Sequence, residues 1–285
     1  MSSPVTFPSA SVTVYGSKVL VAMPWQKSVS PITATCMAQL IDRRRCASAL
    51  HFGDAFVTHT RNSLADVFLK SACEWMLTID DDMVVPFGDP NWFKFYTGFN
   101  FPEKFMRWNA LDRLLSHKKS LVGALYFGRS AKAPPVYNEG ANADEAAFAR
   151  RGPHDLCKPT RWVGTGCMLI HRSVFESIEK LFPKLSRASN NGHGQYFTST
   201  QASLLDRLER LRNSLQSNLT AQGAYAALES LTSALSSAQA ENPLGSGEDV
   251  SFCLRAAAAG HQPHIDMGLI CGHLGTCCYG PQNTI

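Results

Sequence analysis

The sequence predicts an α/β domain: a doubly wound, Rossmann-like sheet flanked by helices. Three observations predict it: short apolar runs closed by turn signals, helical periodicity between them, and the carboxylates Asp80–Asp82 directly after one such run. Lys18–Pro24 (KVLVAMP) ends in proline, the pattern of a buried parallel strand entering a loop. Thr33–Arg44 and Arg61–Ser71 (RNSLADVFLKS) carry apolar residues at helical spacing, and Glu74–Ile79 reads as the second strand. Trp108–Leu115 reads as a helix and Ser120–Tyr126 as a strand, which continues the alternation. In such sheets ligands bind beyond the carboxyl ends of strands, where Pro24, Trp25 and Asp80–Asp82 fall.

The second half is more varied. Ala131–Thr160, rich in Pro, Ala and Gly, reads as an irregular surface segment, and Trp162–His171 (WVGTGCMLIH) as a strand. Ser173–Leu181 reads as a helix with Ser173 at the N-cap and Glu176 at the capping-box position. Leu204, Leu208, Leu211, Leu215 and Leu219, and after Gly223 the residues Ala224, Leu228, Leu231 and Leu235, predict a helical hairpin inserted at 198–240 of a single domain spanning 1–285. It reads as a stabilising or dimer-forming appendage ahead of a substrate clamp, which leaves oligomerisation through it open.

With 285 residues, 45% of them hydrophobic, the chain can bury one large core. It has no run of 18 apolar residues, and its N-terminus lacks a basic region followed by a long apolar one. Nine cysteines, an odd count without dense regular spacing, suit a reducing compartment, so the expectation is a cytoplasmic protein with no membrane partner. The sequon at Asn218 then reads as chance. A net charge of +4 does not by itself indicate a polyanion partner. The clusters Arg43–Arg45, Lys118–Lys119, Arg150–Arg151 and Arg207/Arg210/Arg212 can contact phosphates, although each alone reads as a solvated face.

Three adjacent carboxylates at a strand end repel one another and lose water, so the chain must supply a cation or expose them. They belong to an ordered set: RNSLAD at Arg61–Asp66, DDD at Asp80–Asp82, VGTGCMLIHRSVFE at Val163–Glu176, GEDVSFC at Gly247–Cys253 and CGHLG at Cys271–Gly275. This set and its order resemble the GT-A nucleotide-sugar glycosyltransferases of the family 2 type, especially the compact enzymes of phage-like genomes. The resemblance spans most of Lys18–Gly275 apart from the insertion, and implies a GT-A mixed sheet.

The resemblance also implies roles. Asp80 and Asp82 match an Asp-x-Asp motif whose divalent ion bridges the two phosphates of the donor. Asp82 is the direct ligand, Asp80 the partner of the ribose and Asp81 the middle residue of the nucleotide-sugar site. His273 would complete the metal site, and an imidazole ligand favours manganese over magnesium. Asp249 would be the general base of an inverting transfer, with Glu248 hydrogen-bonding acceptor or sugar. Gly164, Thr165 and Gly166 would line the sugar pocket, while Met168, Leu169 and Ile170 are core. Arg61 and Asn62 would lie near the nucleotide, and Pro24 and Trp25 near its base, with Trp25 stacking on uracil.

Plainer alternatives stand beside these roles: an acidic turn at Asp80–Asp82, helix N-terminal acids at Glu248 and Asp249, a surface Arg61, a self-packed Trp25, or structural zinc at Cys271, His273, Cys277 and Cys278. The expected activity is transfer from a UDP-sugar to an acceptor hydroxyl, with a 5-hydroxymethylpyrimidine flipped out of DNA as the favoured acceptor. A glycan or protein acceptor, a nucleotidyltransferase and a non-catalytic binding module are the other readings.

Overall fold

The apolar runs become the strands of a seven-stranded sheet. The computed structural model describes residues 19–25, 28–41, 46–52 (backbone only), 57–99, 102–129, 135–138, 156–198, 247–275 and 278–279. The helical hairpin expected beyond Thr198, the clusters Arg43–Arg45, Arg150–Arg151 and Arg207/Arg210/Arg212, and Cys277 lie outside them.

Strand β1 (Val19–Trp25) is buried almost throughout and leads to α1 (Pro31–Leu40), whose N-cap Ser30 accepts from the Ile32 amide. Then come β2 (Cys46–Phe52), α2 (Val57–Lys70), β3 (Trp75–Ile79), β4 (Met83–Val84), α3 (Pro90–Thr97), α4 (Ala110–Ser116) and β5 (Leu121–Leu125). The second half holds β6 (Tyr137–Asn138), β7 (Cys157–Pro159), β8 (Trp162–Val163), β9 (Cys167–His171), α5 (Arg172–Leu181), α6 (Glu248–Ala258), β10 (His264–Ile270), β11 (Gly272–Leu274) and β12 (Cys278–Tyr279).

The main sheet runs β2-β1-β3-β9-β5-β10-β7. β1 pairs parallel with β2 and β3, and β5 with β10, while β9 runs antiparallel between β3 and β5. The sheet is therefore mixed, as a Rossmann-like α/β fold allows. The reversal of β9 has a positional consequence. Ile79 faces Cys167, so the Gly164–Gly166 turn before β9 lands where β3 releases Asp80. A smaller sheet, β12-β11-β4, pairs His273 with Met83 and so sets the CGHLG segment beside Asp82.

The core lies between the sheet and its helices, with Leu20, Met23, Phe68, Met76, Leu77, Phe175 and Phe252 buried. α2 is fixed at its C-terminal end by Arg172, which donates to the carbonyls of Phe68, Leu69, Ser71 and Cys73 and lies over the Phe68 ring. α4 is tied to β10 by Arg113, which donates through two nitrogens to the fully buried Asp266.

Some local expectations are corrected. The helix expected at Ser173 starts at Arg172 with His171 as N-cap, because the His171 ring accepts from the Ser173 amide. The strand expected over Trp162–His171 breaks at the Gly164–Gly166 turn into β8 and β9, and the first helix stops at Leu40.

Candidate functional site

Arg61 organises the site. It sits on α2, is 5% exposed, and its fork points across the end of the sheet. One terminal nitrogen donates to both oxygens of Asp80, at 2.8 and 2.9 Å; the other contacts Glu248 closely and Asp249 at 3.3 Å. Four residues named from sequence, distant along the chain, thus meet in one cluster. Three carboxylates share one guanidinium, and their side chains keep 22–24% exposure, so the cluster opens to solvent.

Each member is placed by a structural reason. Asp80 follows β3, its amide donating to the Gly166 carbonyl, and the turn closes when the Met83 amide donates to the Asp80 carbonyl. Glu248 and Asp249 open α6, where helix amides favour negative charge. Thr165 donates its hydroxyl to Asp249 at 2.9 Å and its amide at 3.3 Å. The Thr165 carbonyl is in turn held by the Thr78 hydroxyl of β3 at 2.7 Å.

The electrostatics follow from burial. Burial pushes the Asp249 carboxyl up to about 6; Arg61 opposes this, while Glu248 and Asp80 add to it. Burial also works against the Arg61 charge, but Asp80, Asp249 and Glu248 outweigh it and hold the guanidinium above its ordinary range.

A second pair lies beside the cluster. The Asp82 carboxylate contacts His273 Nε2 at 3.4 Å and Arg129 at 2.8 Å. Burial alone would raise the Asp82 carboxyl, but His273 and Arg129 overcome it and hold the group below the usual range. His273 Nδ1 lies 2.8 Å from the Phe127 carbonyl, which can only accept, so Nδ1 carries the proton. In the neutral ring Nε2 then turns a lone pair toward a carboxylate, a geometry satisfied by ring protonation or by a cation held between the two groups. An oxygen and an imidazole nitrogen fit a divalent ion of the manganese type. Asp80 is not brought into this pair, since Arg61 takes both of its oxygens. Among the described residues no group of three or more His, Cys, Asp or Glu side chains is arranged to hold a metal ion.

The remaining expected residues fall at the same edge with different partners. Ala22 faces Thr78 in the parallel β1–β3 pair, so Pro24 and Trp25 emerge alongside Asp80–Asp82; Pro24 is buried and Trp25 half-buried. The Asp81 carbonyl accepts from the Ser30 amide at 3.2 Å. Asn62 points away from Arg61: its carbonyl accepts from the Phe197 amide, and it lines a polar cleft of about 660 Å³ with Asp66, His193 and Gln195. Cys271 is fully buried and hydrogen-bonds Cys167.

Sequence reasoning missed Tyr126. Its hydroxyl accepts from the Gly166 amide at 3.1 Å, and its ring meets His273 edge-on at 5.5 Å, linking the carboxylate cluster to the Asp82–His273 pair. It also explains the glycines: a Cβ at Gly164 would sit 1.9 Å from the Tyr126 hydroxyl, and one at Gly166 would sit 2.9 Å from the ring. Thr78 and Arg129 were missed as well. A threonine inside a strand and an arginine next to an irregular segment give no local signal.

No protein-family model and no curated protein matches the sequence. Among solved structures, the chain is similar to the crystal structure of A197 from STIV, with 12% identity, 93% of this chain and 91% of that chain covered, and a TM-score of 0.48.

Proposed function

We propose that the protein is a metal-dependent glycosyltransferase of the GT-A type, moving a sugar from a nucleotide diphosphate donor, a UDP-sugar, to an acceptor hydroxyl with inversion. The observation that carries this is the Arg61 cluster: it joins the strand-end Asp80 to a half-buried carboxylate, Asp249, whose proton affinity is raised toward neutrality. A group near neutrality is matched to taking a proton and passing it on.

Asp82 and His273 would hold the divalent ion, with donor phosphates and water completing its shell. When bound, the ion neutralises charge on the departing diphosphate. Asp249 accepts the acceptor hydroxyl proton as that oxygen bonds to the sugar carbon, and the carbon–phosphate-oxygen bond breaks with its electron pair leaving on the diphosphate. The Thr165 hydroxyl and Arg61 meet at one Asp249 oxygen and the Thr165 amide holds the other, which fixes the carboxylate plane. Asp80, locked in two hydrogen bonds, is a rigid acceptor for the donor's ribose hydroxyls.

The test is UDP release with manganese across a panel of UDP-sugars, with and without 5-hydroxymethylpyrimidine DNA or neutral oligosaccharides. Release stimulated by one acceptor class and abolished in Asp82→Ala supports the reading. Pyrophosphate in place of UDP would replace it with a nucleotidyltransferase, and donor binding without turnover would leave a binding module.

A further inference from the structure

Arg129 already occupies the carboxylate that the proposed metal ion needs. Its guanidinium lies 2.8 Å from Asp82 Oδ2, the same oxygen that His273 Nε2 faces at 3.4 Å. A cation held between Asp82 and His273 would share that oxygen, and two positive groups at one carboxylate oxygen repel each other. Metal binding and the Arg129 contact therefore oppose one another. Release of Arg129 costs little, because its side chain is 54% exposed and an ion pair in water is weak.

A released guanidinium stays at the site. Its stem lies along the CGHLG segment, since a Cβ at Gly275 would sit 3.5 Å from Arg129 Cδ. Phe127 accepts from His273 Nδ1 and bridges to Pro135, so the chain leading into Arg129 is tied to the same pair. Charge then identifies the ligand. Asp80, Asp82, Glu248 and Asp249 place four carboxylates at this edge. Arg61 and a divalent ion offset three of those charges, and an incoming diphosphate adds its own. Arg61 cannot turn to it, because both of its terminal nitrogens are spent on Asp80, Glu248 and Asp249. The planar fork of Arg129 matches adjacent phosphate oxygens as well as it matches a carboxylate.

We infer that Arg129 is an exchangeable clamp for the donor diphosphate: it pairs with Asp82 in the ion-free protein and turns to the phosphates when metal and donor bind. This role rests on the glycosyltransferase reading for its ligand, and binding alone tests it, without turnover.

The experiment is calorimetric titration of the full-length wild type, Arg129→Ala and Arg129→Lys with manganese alone, and with UDP and UMP at saturating manganese. Arg129→Ala should bind manganese about two- to fivefold more tightly, yet UDP about tenfold or more weakly. UMP, which lacks the second phosphate, should change by less than about threefold, and Arg129→Lys, which keeps the charge without the fork, should fall between for UDP. A general loss of structure would not move manganese and UDP in opposite directions, and equal melting temperatures check the fold. Unchanged UDP binding in Arg129→Ala, or UDP and UMP weakened alike, would overturn the clamp and leave the donor reading standing. Wild type that binds no UDP with manganese would remove the clamp and the nucleotide donor together.

Discussion

Asp249→Asn should abolish transfer and yet stabilise the protein above neutral pH. Lifting Asp249 from 3.8 to about 6 costs the folded state about 3 kcal/mol once the group is ionised, at about 1.36 kcal/mol per unit. The amide removes that cost, but its nitrogen cannot accept from the Thr165 amide as the second Asp249 oxygen does, which returns about 1–2 kcal/mol. The net expectation is a gain of about 1–2 kcal/mol at pH 8, or about 2–4 °C in Tm for each kcal/mol in a chain of this size. The sign follows from proton binding. Between the unfolded and folded values the folded state holds the proton more firmly, so the Asp249 contribution falls as pH rises from about 4 to about 6. Urea unfolding of both proteins from pH 4 to 8 reads the effect as a difference curve, which cancels Glu179 and Asp266, both held down to about 2. The variant should gain on the wild type through that window and then stay level. Parallel curves, or a variant weaker by about 2 kcal/mol or more at pH 8, would refute the picture of a carboxylate kept at a cost for its chemistry.

Three further outcomes are expected. Gly164→Ala should cost about 1–3 kcal/mol in urea unfolding by driving a Cβ into the Tyr126 hydroxyl, and adding Tyr126→Phe should recover part of the loss. Arg129→Ala should tighten manganese binding about two- to fivefold by calorimetry, because the half-exposed Arg129 competes for Asp82. His117, raised to about 9 by its bond to Asp266 and by Cys157, should add stability that is full below about pH 6.5 and fades as pH rises through about 9. His117→Gln should therefore differ most from wild type in thermal unfolding at low pH and least above pH 9.

Legibility in the sequence tracked the range of the causes. β1, β3 and β5 were readable because buried parallel strands are continuous apolar runs, and α2 because its buried face repeats at helical spacing. β10 (HIDMGLI) was not, since a buried aspartate answered by Arg113 and His117 interrupts its apolar pattern. α3 was hidden because its aromatic residues occupy both faces, so no polar side marks it out. The candidate carboxylates were legible as motifs, but their convergence on one guanidinium was not: Arg61 lies 187 positions from Glu248. The Gly164–Gly166 turn was marked by its glycines, read as room for a ligand. In the fold that room is filled by Tyr126, whose own segment showed only a strand.

The most direct measurement is identification of the nucleotide product when the purified protein is incubated with manganese and each of several UDP-sugars, with Asp82→Ala and Asp249→Asn alongside. UDP as the nucleotide product, lost without the metal and in both variants, is the predicted result. UMP or pyrophosphate, or turnover that persists in Asp249→Asn, would contradict the account.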